Sequence, residues 1–453
     1  EEVFSNDASL LLPSHVLGKE YLVMTREQSF DRLRGFLTVI AVSEDPTQVT
    51  VTVTAQTQQL TGQIPPLMPG ESFTTVLNKF DVLNIETGAP GADLTGSRIV
   101  ASENVVVFGG SEAANVPNTN HCTFPRTDLE SGVCKYDYDA CVEGDANLDG
   151  ENENIACGVQ LANCMRNIET DCAADEDIPA CTAAAEEVCQ GEKLDCELGC
   201  FESSVTCQNN YDCNQANFNT CCADHLEQQL FPIHAWGRQY VSVKSYARGN
   251  EKDYWRIIAS QDDTKVETVP PQAVVPTLNA GEWFEFGTRA SFELISDKPV
   301  MVGQFLASEH APNPNIRDIL EPGDAATGDP AFILSVPVEQ FRTDFVFLAP
   351  DKYAFDYVTI TAPIGAEVFF DDLPVESISD WEPIGDPASW QSARFQIADG
   401  THFIQGDVPL GVTVYGYDQY VSYGYPAGLN LDVVDPETGE AIPQSDTTEE
   451  EQP

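Results

Sequence analysis

Leu12-Pro13-Ser14-His15-Val16-Leu17-Gly18-Lys19-Glu20-Tyr21 and Phe231-Pro232-Ile233-His234-Ala235-Trp236-Gly237-Arg238-Gln239-Tyr240 match at proline, histidine, glycine and tyrosine. This pairing sets the reading of the whole chain. A third copy starts at Val336-Pro337 and keeps an aromatic, Phe345, eight residues after its proline. Downstream, Phe36-Leu37-Thr38-Val39-Ile40-Ala41 recurs as Tyr254-Trp255-Arg256-Ile257-Ile258-Ala259 and as Tyr357-Val358-Thr359-Ile360-Thr361-Ala362. Each copy closes on a similar run: Val105-Val106-Val107-Phe108-Gly109, Val300-Met301-Val302-Gly303-Gln304-Phe305 and Val412-Thr413-Val414-Tyr415-Gly416-Tyr417. Self-similarity at a fixed period signals repeated supersecondary units.

The repeated runs have strand character. Gln48-Val49-Thr50-Val51-Thr52-Val53-Thr54 alternates with period two and is rich in β-branched residues. Asn104 to Phe108 reads as a strand buried on both faces. Gly and Pro punctuate these runs at Met68-Pro69-Gly70, Val269-Pro270-Pro271 and Ile364-Gly365, as in all-β sandwiches or barrels rather than βαβ units. Gly328-Asp329-Pro330 and Gly385-Asp386-Pro387 read as turns.

Between the first two copies the composition changes. All 14 cysteines lie there, at Cys122, Cys134, Cys141, Cys157, Cys164, Cys172, Cys181, Cys189, Cys196, Cys200, Cys207, Cys213, Cys221 and Cys222. A segregated, even-numbered set reads as a disulfide framework outside the reducing cytosol. Zinc knuckles would require Cys-x2-Cys pairs, and none occurs. Seven-residue and four-residue cysteine spacings, with Ala-rich runs such as Thr182 to Val188, give the block helical character.

The fold expected is therefore all-β: three tandem β-sandwich-like repeats, with a disulfide-rich, largely helical insertion between repeats one and two. The boundaries are 1–120 for repeat one, 121–222 for the insertion, 223–335 for repeat two, 336–432 for repeat three and 433–453 for an acidic flexible tail.

Acidic residues number 73 against 22 basic, a net charge of −51. Such a chain is repelled by nucleic acid and anionic lipid, and no apolar run approaches the roughly 18 residues of a membrane span. It begins at Glu1-Glu2 with no basic and apolar leader, as a mature exported chain would, although a trimmed chain would read the same.

The stretch Cys221-Cys222-Ala223-Asp224-His225-Leu226-Glu227-Gln228-Gln229-Leu230-Phe231-Pro232 opens a wider resemblance. Together with Asp253 to Ser260, Pro299 to Phe305 and Val414 to Tyr417, it resembles the IgGFc-binding protein N-terminal domain family over roughly residues 10–116 and 222–431. The resemblance implies a secreted or surface-exposed protein; animal members are mucus glycoproteins and bacterial members are extracellular. It transfers no antibody-contact residue.

No His-Glu-x-x-His, Gly-x-Ser-x-Gly or phosphate-loop motif is present. His15 and His234, at equivalent repeat positions, read as structural. His225, beside Asp224 and Glu227, is the nearest approach to a catalytic or metal-binding group; its competing role is to cap a short helix anchoring the insertion. Asp145-Ala146-Asn147-Leu148-Asp149-Gly150-Glu151 places oxygen ligands and glycine as a calcium loop does, with Glu153 as a further ligand and Ala156 where the closing acid belongs. A plain Asx turn accounts for the same letters. The expectation is a non-enzymatic adhesion or structural protein of a bacterial cell surface. It would bind a protein or glycan surface ligand or assemble with itself, with calcium as the only cofactor considered. A secreted hydrolase of glycans or peptides is the alternative.

Overall fold

Each repeated proline opens a 3₁₀ turn: Pro13 precedes Ser14–Val16, Pro232 precedes Ile233–Ala235, and Pro337 precedes Val338–Gln340. The ring fixes φ, at −61°, −62° and −68°, so the chain enters each β region along the same course. The computed structural model describes residues 7–30, 32–58, 64–117, 223–309, 311–312 and 327–430, and the backbone at 433–434 and 441–442.

Among the described residues every regular element is a strand or a 3₁₀ turn. The first sheet holds β1 (Gly18–Leu22), β2 (Gly35–Ala41), β3 (Thr47–Thr52), β4 (Ser72–Leu77), β5 (Val82–Glu86), β6 (Arg98–Ala114) and β7 (Asp224–Gln229). The second holds β8 (Gly237–Ser242), β9 (Asp253–Ala259), β10 (Val266–Val269), β11 (Trp283–Thr288), β12 (Phe292–Phe305) and β13 (Phe332–Leu334). The third holds β14 (Arg342–Ala349), β15 (Phe355–Pro363), β16 (Val368–Phe370), β17 (Leu373–Pro374), β18 (Glu382–Gly385), β19 (Ala388–Ile397), β20 (Gly400–Asp418) and β21 (Val421–Pro426). A short ladder of β22 (Val433–Val434) and β23 (Ala441–Ile442) falls in the stretch expected as an acidic tail.

One long strand organises each sheet. The first half of β6 lies between β1 and β3, and its second half between β2 and β7. In the second sheet β12 pairs first with β8 and β10, then with β9 and β13. In the third, β20 pairs first with β14 and β16, then with β15 and β21. Where the long strand changes partners, the opening strand skips in register. Gly18 pairs with Val105 but Glu20 with Val100, Gly237 with Val300 but Gln239 with Ile295, and Arg342 with Leu410 but Asp344 with Gln405. These pairings make Leu410, not Val412, the counterpart of Val105 and Val300, two residues from where sequence similarity aligns it.

Two expectations change. Asp224 to Gln229 does not cap a helix: it is strand β7, pairing with the exposed flank of β6 and burying Leu226. An open strand edge in a core outweighs helix-capping chemistry. Asn104 to Phe108 alternates between buried and half-buried positions rather than burying both faces, because β6 carries solvent-near residues on one side there.

The cores also cross between sheets. The largest one joins Leu37, Val51 and Val107 of the first sheet to Ile258 and Met301 of the second and to Trp236, just before β8, while Val358, Ile360 and Val414 anchor a core within the third. No helix of the described residues is long and apolar enough to cross a membrane. The fourteen cysteines, the expected helical insertion and the candidate calcium loop all lie outside the described residues.

Candidate functional site

The repeated motif builds the joints between sheets. Gly18 lies against Pro232, so close that a Cβ on the glycine would stand 2.5 Å from the proline Cβ; the corresponding distance from Gly237 to Pro337 is 2.3 Å. The proline of one copy therefore docks on the glycine of the copy before it. The repeated tyrosine holds the same place from inside. Tyr21 Oη accepts from Gly18 N–H (2.9 Å) and donates to the Val105 carbonyl (2.8 Å). Tyr240 Oη accepts from Gly237 N–H (3.4 Å) and donates to the Val300 carbonyl (2.5 Å). These contacts satisfy the backbone groups that the register skip would leave without a ladder partner.

A buried ion network locks the first joint. Arg256 donates to Asp93 (2.6 Å), Thr95 (2.8 Å), the Thr25 carbonyl (3.0 Å) and Glu285 (2.9 Å), while Arg26 donates to the same Glu285 oxygen (2.8 Å). Arg256 also lies 3.9 Å from the Trp283 ring centroid. Burial alone would raise the Asp93 and Glu285 carboxyls, but the guanidiniums outweigh it and hold both below the usual carboxylate range. Arg256 stands inside a quoted repeat motif, yet only tertiary placement gives it this role, since its partners come from residues 25, 93, 95 and 285.

Beside this joint is an open groove of about 520 Å³, lined by Lys19, Glu20, Asn104, His234, Gln261 and Pro299 among others. Burial lowers the His234 imidazole from its ordinary value. His15, its counterpart in the repeat, is exposed, while the His234 ring bonds to the backbone of Val16, the residue after it.

His225 and Glu227 do meet, on β7, with Nε2 3.4 Å from Oε2. That hydrogen bond raises the imidazole above its ordinary value despite partial burial, and the ring stacks on Phe36 at 5.8 Å. The buried Asp224 carboxylate accepts from the His225 backbone N–H (2.8 Å). The backbone of this trio belongs to the β6–β7 ladder, whose pairs include Gly110 with Glu227 and Ala114 with Asp224. Asp145, Asn147, Asp149, Glu151 and Glu153 lie outside the described residues, as do all the cysteines.

The chain leaves the first sheet at Ala114 and re-enters it at Asp224, which are ladder partners. The cysteine-rich segment is thus carried in the connection between two adjacent strands. The same connection runs from Phe305 to Phe332 in the second sheet and is the turn Gln419-Tyr420 in the third.

No curated protein matches the chain. A family model described as IgGFc binding protein matches residues 7–129 and 202–416, covering the sheets from β1 into β20 on both sides of the cysteine-rich segment. With well over half its length matched, the chain belongs to the IgGFc-binding protein family.

Proposed function

We propose that this chain is a non-enzymatic extracellular binding and structural protein. Its β repeats form a rigid scaffold that displays the cysteine-rich segment as a recognition module for a protein or glycan at a bacterial cell surface, and that also self-associates. The observation that carries this reading is the family match on both sides of that segment, whose ends fall on paired strands of one sheet. A scaffold with such a connection tolerates a large insertion at little cost, because loop-closure entropy grows only logarithmically with length. The strand placement of His225 and Glu227 supports a structural role for that pair.

Binding of fluorescently labelled chain to producing cells tests the reading. The full chain should bind, and a version with residues 118–222 replaced by a short linker should not. Equal binding by both, or turnover of a glycan or peptide, contradicts it. We further propose that Asp145, Asn147 and Asp149, with Glu151 and Glu153, bind calcium. Calcium added to metal-stripped protein should then raise the melting temperature, and Asp149→Ala should abolish the rise.

A further inference from the structure

At both internal joints the copy that follows covers the end of the opening strand. Leu22, one residue past Tyr21, lies 4% exposed beneath Gly281 of the second sheet. Val243, three residues past Tyr240, is 7% exposed and shares a core with Trp390 of the third. The covering residues are equivalent in the ladders. Gly281 lies two residues before Trp283, which pairs with Ile258; Trp390 lies two residues before Ser392, which pairs with Thr361. In the first sheet the same position, two before Val82 paired with Ile40, is Phe80. Phe80 N–H donates to the Ala41 carbonyl (2.7 Å) just as Gly281 N–H donates to that of Ala259 (2.9 Å).

Both ends of this series are open. In the third sheet the covered positions are Val346 and Leu348, 62% and 56% exposed, with Phe403, directly opposite Val346, at 56%. In the first sheet the covering residue Phe80 is 69% exposed. Phe80 also holds φ = +69°, where its counterpart Gly281 holds +83°. A bulky side chain in the left-handed region is costly, and here it presents an aromatic ring to solvent. The innermost part of the third joint is already taken, since Ala427 N–H donates to the Val412 carbonyl where Leu230 and Ser335 N–H donate to those of Val107 and Val302. Only the outer, apolar half remains open.

We propose that copies of this chain associate head to tail, the Phe80 face of one docking on the Val346, Leu348 and Phe403 face of the next. The inference rests on the self-association included in the proposed function and names its surfaces. A heterologous contact of this kind does not close by two-fold symmetry, so it propagates. The restricted area and Arg342, which stands where Gly18 and Gly237 admit a proline, make the joint weaker than the internal ones. The net charge of −51 makes it depend on screening, with association strengthening as salt shortens the Debye length to about 8 Å at physiological strength.

Sedimentation velocity of the full chain at physiological salt tests this. Phe80→Gly suits the left-handed turn and removes the ring; Val346→Glu with Leu348→Glu alters only exposed positions; circular dichroism checks that both fold. The wild type should form concentration-dependent oligomers beyond the dimer, and each variant alone should be monomeric. An equimolar mixture of the two, each retaining one intact face, should give dimers and nothing larger. Oligomers that survive either variant, or a mixture that stays monomeric, overturn the head-to-tail geometry while leaving self-association standing. A wild type that is monomeric at every salt and concentration overturns both.

Discussion

Tyr21 and Tyr240 show how one residue type earns its place in a repeat. Each hydroxyl joins a glycine N–H to a valine carbonyl at a register skip, and Phe345 fills that position in the third copy, where Arg342 replaces the glycine. Tyr21→Phe or Tyr240→Phe should each cost about 1–3 kcal/mol, the penalty of leaving a buried polar group without its partner, read by chemical denaturation. The proline, glycine and tyrosine of the motif were legible in sequence because they recur. Arg256 was not legible as a clamp, because its partners are scattered along the chain. Arg256→Met should cost about 3–5 kcal/mol, since it leaves buried carboxylates short of a cation. Asp356 gives a pH signature: burial lifts its carboxyl from 3.8 to about 6, even though Tyr423 donates a hydrogen bond to it. The native state then holds a proton that the unfolded chain has released, so this group's contribution to stability falls as pH rises from 3.8 to about 6. Asp356→Asn should remove that part of the slope in melting temperature against pH.

At the scale of elements, the period-two pattern of Gln48 to Thr54 and the recurring Phe36, Tyr254 and Tyr357 runs are found as β3, β2, β9 and β15. Strand β7 was hidden, because Asp-His-Leu-Glu-Gln-Gln carries one apolar residue and capping letters; what makes it a strand is the unfilled flank of β6. The third closing run was misaligned by two residues because a shift of two keeps the same face of a strand, so the pattern of apolar residues does not register it. The joints depend on close approach. Gly237→Ala would place a Cβ 2.3 Å from Pro337 and should cost about 1–3 kcal/mol by overpacking, lowering the melting temperature.

The whole molecule divides by chemistry: β sheets without cysteine on one side, and a segment holding all 14 on the other. That division was legible from composition alone. The way the sheets share a core was not, since Trp236, Ile258 and Met301 join the core of the first sheet only through tertiary packing. Because Ala114 and Asp224 are ladder partners, the β sheets are expected to form one self-sufficient scaffold into which the cysteine-rich segment is inserted at a hairpin. The third sheet supplies the template for a test, because Asp418 and Val421 are joined there by Gln419-Tyr420 alone. Replacing residues 118–222 with a short linker in place of that turn, which keeps the buried Val116, and recording thermal unfolding by far-ultraviolet circular dichroism tests this most directly. The expected result is a β-rich protein with one sharp transition, unchanged by reducing agent. A chain that lacks a cooperative transition would contradict it, showing that the sheets depend on the cysteine-rich segment to fold.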